Sequence, residues 1–302
     1  MSPSATDRFP KFKTEEGRAR VLAAYDAALA TWPVAYEQID VPTHVGSTHV
    51  IASGAWDAPA LVLLPSFAGT ALAWRLNVEG LSRRFRVYAI DIIGQPGKSL
   101  AIRRLRDRRD YARWLAEVLD GLGVARAAVV GCSFGGFLAL SQAILTPERV
   151  DKVVMIGPAG SFVGLSWRLA LAMRTAPLRR RIRRWLGDRR APDIASVVPR
   201  PPRDSAWRSL IGVIMAETAK VSIINVPVFS PRELKRVRAP VLLLIGEEEQ
   251  LYRPEPTLRL AMERLPGLQG AVVPGADHLA AMARPDDVNR RILDFLLPAD
   301  AG

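Results

Sequence analysis

The sequence predicts an α/β fold: a mostly parallel sheet of eight strands flanked by helices, with a helical insertion late in the chain. Three observations predict it. Short apolar, β-branched runs alternate with helix-length amphipathic stretches along most of the chain. That alternation stops near residue 159 and resumes near residue 231. Residues 126–140, Arg-Ala-Ala-Val-Val-Gly-Cys-Ser-Phe-Gly-Gly-Phe-Leu-Ala-Leu, pass from a strand-like run through a glycine-flanked serine straight into a helical pattern.

Taken in order, residues 1–13 read as a loose leader. From Thr14 to Thr31, the positions Val21, Leu22, Tyr25, Ala28, Leu29 and Trp32 share one helical face, and Pro33 ends the helix. Tyr36 to Val45 and Thr48 to Ser53 read as a hairpin around Gly46-Ser47. His44 and His49 sit there as packed or exposed hairpin residues rather than ligands. Leu61 to Leu64 is a buried strand, followed by the loop Pro65–Thr70 and a helix through Trp74 to about Ser82. Arg86 to Ile90 is the next strand and runs into Asp91-Ile-Ile-Gly-Gln-Pro-Gly-Lys-Ser99. Gly97-Lys98-Ser99 resembles the end of a phosphate loop, but the first glycine of that motif would fall at Ile92, so nucleotide binding is rejected.

A helix over Asp107–Gly121 precedes the strand Ala127–Val130, and Phe134 to Leu145 carries apolar residues at helical spacing. Lys152 to Ile156 is a strand. Residues 159–230 hold no further strand of this kind and are helical, punctuated by Pro177, Pro192, Pro199, Pro201, Pro202 and Pro227. Alternation resumes with Pro240–Ile245, a helix from about Pro256 to Arg264, the strand Gln269–Val273 and a final helix from Pro285 to Leu297. Residues 1–158 and 231–302 therefore make one core, and 159–230 the insertion.

Composition narrows the function class. A chain of 302 residues can bury a large core. Its one cysteine, Cys132, forms no intrachain disulfide, so a reducing cytoplasm is the expected location. The first residues lack the apolar core of a signal peptide, and no run of about 18 apolar residues predicts a membrane span. The net charge of +12 comes mostly from arginines spread along the chain, without the interleaved aromatics of a nucleic-acid site. No H-E-x-x-H motif occurs and only three histidines exist, so neither metal nor cofactor is expected. The sequence sets no oligomeric state.

The chemistry centres on Gly131-Cys132-Ser133-Phe134-Gly135, which matches G-x-S-x-G in a strand-to-helix context. So sharp a reversal strains the serine backbone, and the two glycines remove side chains that would collide across the bend. It lifts the Ser133 hydroxyl above the sheet edge and aims the Phe134 amide at a reacting oxygen. A serine hydroxyl needs a base. His278 lies beyond a late strand end, in Pro274-Gly-Ala-Asp-His, and is the candidate. An acid must orient the imidazole. The strand ending at Ile245 runs into Gly246-Glu247-Glu248-Glu249, and three consecutive carboxylates leave that choice open; in an extended segment Glu247 and Glu249 point alike and Glu248 oppositely. Open α/β sheets gather such groups at the carboxyl ends of strands, where the Pro65–Thr70 loop, Asp91, Ser133, Gly246–Tyr252 and Gly275–His278 are expected to converge. Cys132 beside the nucleophile reads as a packing residue.

The order Ser133, acid, His278 resembles the α/β-hydrolase fold family, and more closely its bacterial carboxylesterases, over nearly the whole chain from Trp32-Pro33 to the final helix. The resemblance implies an acid three residues after the strand-end glycine, in G-x-x-[DE], which falls on Glu249. It implies a histidine in a G-x-G-H-like loop, here Gly275-Ala-Asp277-His278, with Asp277 in place of a usual glycine. The family's oxyanion loop usually begins His-Gly; here those positions read Pro65-Ser66, and the implied donors are the Phe67 and Phe134 amides. A serine at the elbow argues against relatives that form alkyl-enzyme esters from an aspartate.

The resemblance also makes residues 159–230 a helical cap over the pocket. Its Phe162, Leu165, Trp167, Leu169, Leu171, Met173, Trp207, Ile211 and Met215 either suit an apolar acyl or alcohol group or seat the cap on the core. Phe67, Phe134, Phe162, Leu251 and Leu279 are the candidate substrate contacts. Residues 178–186, an apolar stripe of Leu178, Ile182, Trp185 and Leu186 among arginines, are expected to be a cap helix with a solvated face, with an anionic membrane surface as the alternative. The implied function is a serine hydrolase of carboxylic esters. Amide or lactone cleavage, acyl transfer, perhydrolysis, and ligand binding without turnover are the rival readings.

Overall fold

The computed structural model describes residues 9–164 and 205–297. Its strands are β1 (Lys11–Phe12), β2 (Tyr36–Thr43), β3 (Gly46–Ser53), β4 (Ala60–Leu64), β5 (Arg86–Ile90), β6 (Leu100–Ala101), β7 (Ala127–Cys132), β8 (Val150–Ile156), β9 (Thr218–Lys220), β10 (Val241–Gly246) and β11 (Gln269–Val273). The main sheet runs β11-β10-β8-β7-β4-β5-β3-β2, with β6 paired beside β3. From β11 to β5 every pairing is parallel; β3 and β2 turn antiparallel through the Gly46 hairpin. The eight strands of that path are those expected from sequence, and β6 is an added two-residue strand.

Two-sided burial explains the unbroken apolar runs. Successive side chains alternate faces, so Val62 and Leu64 enter one core while Leu61 and Leu63 enter the other. The first core packs under α3 (Arg108–Gly121) and α4 (Phe134–Leu145), with Trp114 and Phe137 fully buried. The second packs under α1 (Glu15–Leu29), α5 (Ser205–Glu217) and the last helix, Pro285–Leu296, with Tyr25 and Ile292 fully buried.

Helix starts follow the local chemistry. Thr14 accepts from the Gly17 N–H, and Asp107 from the Arg109 and Asp110 N–H groups, satisfying first-turn donors. The expected helix from residue 71 to 82 is instead broken into a 3-10 turn, Ala71–Trp74, and a short helix, α2 (Val78–Ser82). Asn77 sits at the break, where its side chain donates to Asn289 and its carbonyl accepts from Asn289 in return.

The leader is a correction. Residues 9–13 are not loose. Phe9 is buried and exchanges two backbone hydrogen bonds with Ala101, and β1 pairs antiparallel with β9, a strand inside the stretch where none was expected. Lys13 adds a backbone bond to the Glu217 carbonyl and a side-chain bond to the Ala216 carbonyl. The cause is tertiary: α5 lies along α1, where a Cβ on Gly17 would come within 2.6 Å of the Glu217 carboxylate. Arg20 pairs with that carboxylate at 3.0 Å.

In the described part of the insertion, Trp207 is buried in the core with the Arg75 guanidinium over its ring, and Ile211 packs against the same cluster. Both seat the insertion on the core, whereas Met215 is exposed. Leu165, Trp167, Leu169, Leu171, Met173 and the 178–186 stripe lie outside the described residues.

Candidate active site

The elbow forms where β7 runs directly into α4. Ser133 takes φ 52 and ψ −111, a left-handed strain that its neighbours hold in place. Its N–H donates to the Ile156 carbonyl at 2.9 Å, and its carbonyl accepts from Phe137 and Ala159, each at 3.1 Å. Both glycines are obligatory here. A Cβ on Gly131 would lie 2.2 Å from the Gly135 backbone, and one on Gly135 would lie 2.2 Å from the Leu64 carbonyl oxygen. The helix start is thereby pressed against the end of β4, where the Pro65–Thr70 loop begins.

Above this elbow, His278 Nε2 lies 2.9 Å from Ser133 Oγ, and His278 Nδ1 lies 2.7 Å from Glu249 Oε2. The carboxylate only accepts, so Nδ1 carries the hydrogen and Nε2 is left to accept from the hydroxyl. Ser133 and His278 are nearly buried, and the Glu249 side chain is wholly so. Its other oxygen, Oε1, accepts from the Gln250 N–H at 2.8 Å and the Leu251 N–H at 2.9 Å. The buried carboxylate thus has its hydrogen bonds satisfied on both oxygens.

Of the three consecutive glutamates, Glu249 alone reaches the imidazole. Glu247 and Glu248 are exposed; Glu247 instead braces the histidine loop by accepting from the Gly275 N–H at 2.8 Å. Asp277, where a glycine is usual, caps the Leu279 N–H at 2.9 Å, so its carboxylate serves the loop's own turn. The strand-end Gly246 is needed for steric reasons, since a Cβ there would stand 2.2 Å from the Asp277 carbonyl oxygen. Gly157, not singled out from sequence, has the same character. It adopts φ +50, and a Cβ on it would lie 2.9 Å from the His278 carbonyl oxygen and 3.1 Å from Glu249 Oε2.

The Phe134 N–H is the first of α4, at the positive end of the helix. Neither it nor the Phe67 N–H has an acceptor among the described residues. The two rings meet edge to face at 6.2 Å. The Phe134 ring continues into a buried aromatic row with Tyr111 at 5.5 Å and Phe137 at 6.4 Å, so it is held in the core while Phe67 stays exposed.

The remaining expected contacts are scattered. Leu279 lines a small crevice with Pro65, Trp74, Cys132 and Met282, beside the elbow. Leu251 is buried in the turn that holds Glu249. Phe162 is fully buried in the first core, its carbonyl accepting from Arg264 at 3.0 Å. Asp91, expected at the convergence, lies beside the end of the Pro65–Thr70 loop and has no bond to Ser133, His278 or Glu249 among the described residues. It is buried, accepting from the Ala71 N–H at 2.7 Å and the Lys98 N–H at 2.8 Å. A cavity of about 600 Å³ lies elsewhere, lined among the described residues by Arg103, Arg104, Arg106 and Asp110.

Burial, with the Glu249 and Asp277 carboxylates nearby, pushes the Cys132 thiol up to about 12, so it remains a protonated, unreactive group beside the serine. His49 is buried, with Nδ1 2.8 Å from Asp40, and His44 pairs with Glu117; neither approaches Ser133 by any bond among the described residues.

Residues 61–291 match the model of the alpha/beta hydrolase family. The chain is 34% identical to carboxylesterase YbfK of Bacillus subtilis over 95% of its own length and 96% of that protein. The crystal structure of that protein superposes with a TM-score of 0.80, covering 93% of this chain and 98% of that one. The crystal structure of naproxen esterase, carboxylesterase NP of Bacillus subtilis, superposes with a TM-score of 0.82 at 28% identity, covering 94% of this chain and all of that one.

Proposed function

The chain belongs to the alpha/beta hydrolase family, and we propose that it hydrolyses carboxylic esters with Ser133 as nucleophile, His278 as general base and Glu249 as the group that orients the base. The observation that carries this reading is the 2.9 Å contact between Ser133 Oγ and an imidazole whose other nitrogen is held by a buried carboxylate.

Ser133 Oγ attacks the ester carbonyl carbon while His278 Nε2 takes its proton. Charge moves onto the carbonyl oxygen, which the Phe67 and Phe134 N–H groups receive; one such donor is worth about 3–4 kcal/mol of barrier in other enzymes. The new imidazolium sits against the Glu249 carboxylate. It returns its proton to the departing alcohol as the C–O bond breaks, leaving an acyl group on Ser133. Water then attacks the acyl carbon as His278 takes its proton, and the second tetrahedral intermediate collapses to the acid while His278 returns that proton to Ser133 Oγ.

The exposed Phe67 ring and the crevice at Leu279 favour an apolar acyl or alcohol part. Residues 159–230 serve in this reading as the cap; the chain enters them after β8, and the first of them is tied to the elbow by the Ala159 N–H on the Ser133 carbonyl. A lone buried cysteine fits a cytoplasmic enzyme, and no helix among the described residues is long and apolar enough to cross a membrane.

Turnover of p-nitrophenyl esters of graded acyl length, with stoichiometric labelling of Ser133 by a fluorophosphonate, tests the proposal. Labelling without multiple turnover would replace it with ligand binding. Amides, lactones and an added alcohol acceptor in the same panel separate hydrolysis from the other acyl chemistries.

A further inference from the structure

Behind the Phe67 amide stands a buried side chain that the reaction scheme leaves unused. Gln95 is 1% exposed, and its two polar ends do opposite things. Oε1 accepts from the Ala68 N–H at 3.0 Å, and Nε2 donates to the Ser222 carbonyl at 2.6 Å. Its own N–H is fixed on the Ile92 carbonyl at 3.0 Å.

Ala68 is the third residue of a turn closed by the Gly69 N–H on the Ser66 carbonyl at 3.0 Å, and it has φ 57. That is the position where a type II turn favours glycine. An alanine persists in this region only where its surroundings hold it. The Gln95 carboxamide is the one side chain among the described residues that grips the Ala68 amide. Holding the Ala68 N–H holds the Phe67–Ala68 peptide plane, and with it the direction of the preceding Phe67 N–H.

The other end of Gln95 reaches into the insertion. The Ser222 N–H donates to the Gly94 carbonyl at 2.8 Å, and a Cβ on Gly94 would lie 2.7 Å from Ser222 Cβ. The Gly94-Gln95 turn is therefore wedged between the Ser66–Gly69 turn and the returning end of the insertion. The carboxamide offers an acceptor at one tip and a donor at the other across this span.

We propose that Gln95 is a positioning residue for the oxyanion site, holding the Phe67 N–H in place and tying it to Ser222 in the insertion. This rests on the reading of Phe67 as an oxyanion donor. Gln95→Met keeps the volume and removes both bonds, while Gln95→Glu keeps the acceptor and sets an oxygen against the Ser222 carbonyl. The probes are p-nitrophenyl butyrate and an aryl trifluoromethyl ketone. With the ketone, Ser133 Oγ bonds to the carbonyl carbon, the serine proton passes to His278, and the hemiketal oxygen occupies the oxyanion site.

Gln95→Met is expected to lower kcat about tenfold to a hundredfold with KM within about twofold, and to weaken the ketone by the same factor as kcat/KM. Gln95→Glu is expected to fall between it and the parent. The midpoint of the pH–rate profile stays where it was, because the imidazole and its carboxylate are untouched. Unchanged ketone affinity in either variant, or kcat within twofold of the parent in both, overturns the proposal. Should the parent enzyme form no hemiketal by ¹⁹F NMR, the reading of Ser133 itself fails and this inference falls with it.

Discussion

Gly157 packs against His278 so closely that a Cβ at residue 157 would stand 2.9 Å from the His278 carbonyl oxygen and 3.3 Å from Nδ1, pressing on the backbone that carries the imidazole. Residue 157 also has φ +50, which penalises every L side chain. Gly157→Ala is therefore expected to lower kcat about tenfold to a hundredfold, the larger figure being the scale of a 1 Å misplacement in an active site. The crystal structure of the variant checks the cause by showing Nδ1 moved away from Glu249.

Ser133 and His278 act as one unit in the proposed chemistry. Ser133→Ala and His278→Ala should each lower kcat by about a millionfold, and the double variant no further. Glu249→Gln, which keeps the shape and removes the charge, should cost about four orders of magnitude. Glu248→Gln, on an exposed side chain, should stay within about twofold. Kinetics on one p-nitrophenyl ester decide all five, and a Glu248 variant as impaired as the Glu249 one would remove Glu249 from its role.

The Phe67 amide can be deleted without deleting the turn. Phe67 is the second residue of the turn closed between Ser66 and Gly69, the position where proline is favoured. Phe67→Pro removes the N–H and should lower kcat about a hundredfold to a thousandfold. Phe67→Ala, which keeps the N–H and loses only the exposed ring, should affect KM more than kcat.

With its thiol raised to about 12, Cys132 should resist iodoacetamide at pH 8 in the folded protein and react once unfolded in guanidinium. Mass spectrometry of the intact chain reads the outcome. Cys132→Ala should retain catalysis, which separates this thiol from the neighbouring hydroxyl.

The short helix Pro231–Leu234, where the chain re-enters the core, is tied back through Glu233. Burial pushes its carboxyl up, but the Ser230 N–H, the Arg108 guanidinium and the Ser230 hydroxyl outweigh it and bring it down to about 2. A carboxyl lowered on folding adds stability above its unfolded pKa of about 4.3, and that contribution disappears as pH falls toward 2. Glu233→Gln should melt earlier than the parent at pH 7. The gap in Tm should close between about pH 4.5 and pH 2; a gap constant with pH would assign the loss to packing of Arg108 on Phe229 instead.

What could be read from the residues alone is what has a short-range cause. Phe134–Leu145, Arg86–Ile90 and Gln269–Val273 occupy the spans that their apolar periodicity predicts. The Ser133 turn is legible because Gly131 answers a clash with the Gly135 backbone a few residues on, whereas the clash that Gly135 answers, with the Leu64 carbonyl oxygen, is long-range. The Asp91–Ser99 segment that holds Gln95, by contrast, suggests only a failed phosphate loop, through Gly97-Lys98-Ser99. Its partners Ala68 and Ser222 lie 27 and 127 residues away, so no local pattern points to them.

The alternation of strand and helix established the layers, because each apolar run must bury two faces or one stripe wherever it sits. The meeting of Ser133 with His278, 145 residues apart, had to wait for the folded chain. So did the bond from Glu249 to that imidazole, which the resemblance implied but residue spacing left open among three glutamates, the bonds of Asp91 to the Ala71 and Lys98 amides, and the pairing of residues 11–13 with the insertion. These depend on which polar groups share a water-poor space, and burial and long-range packing create that space only once the layers have closed.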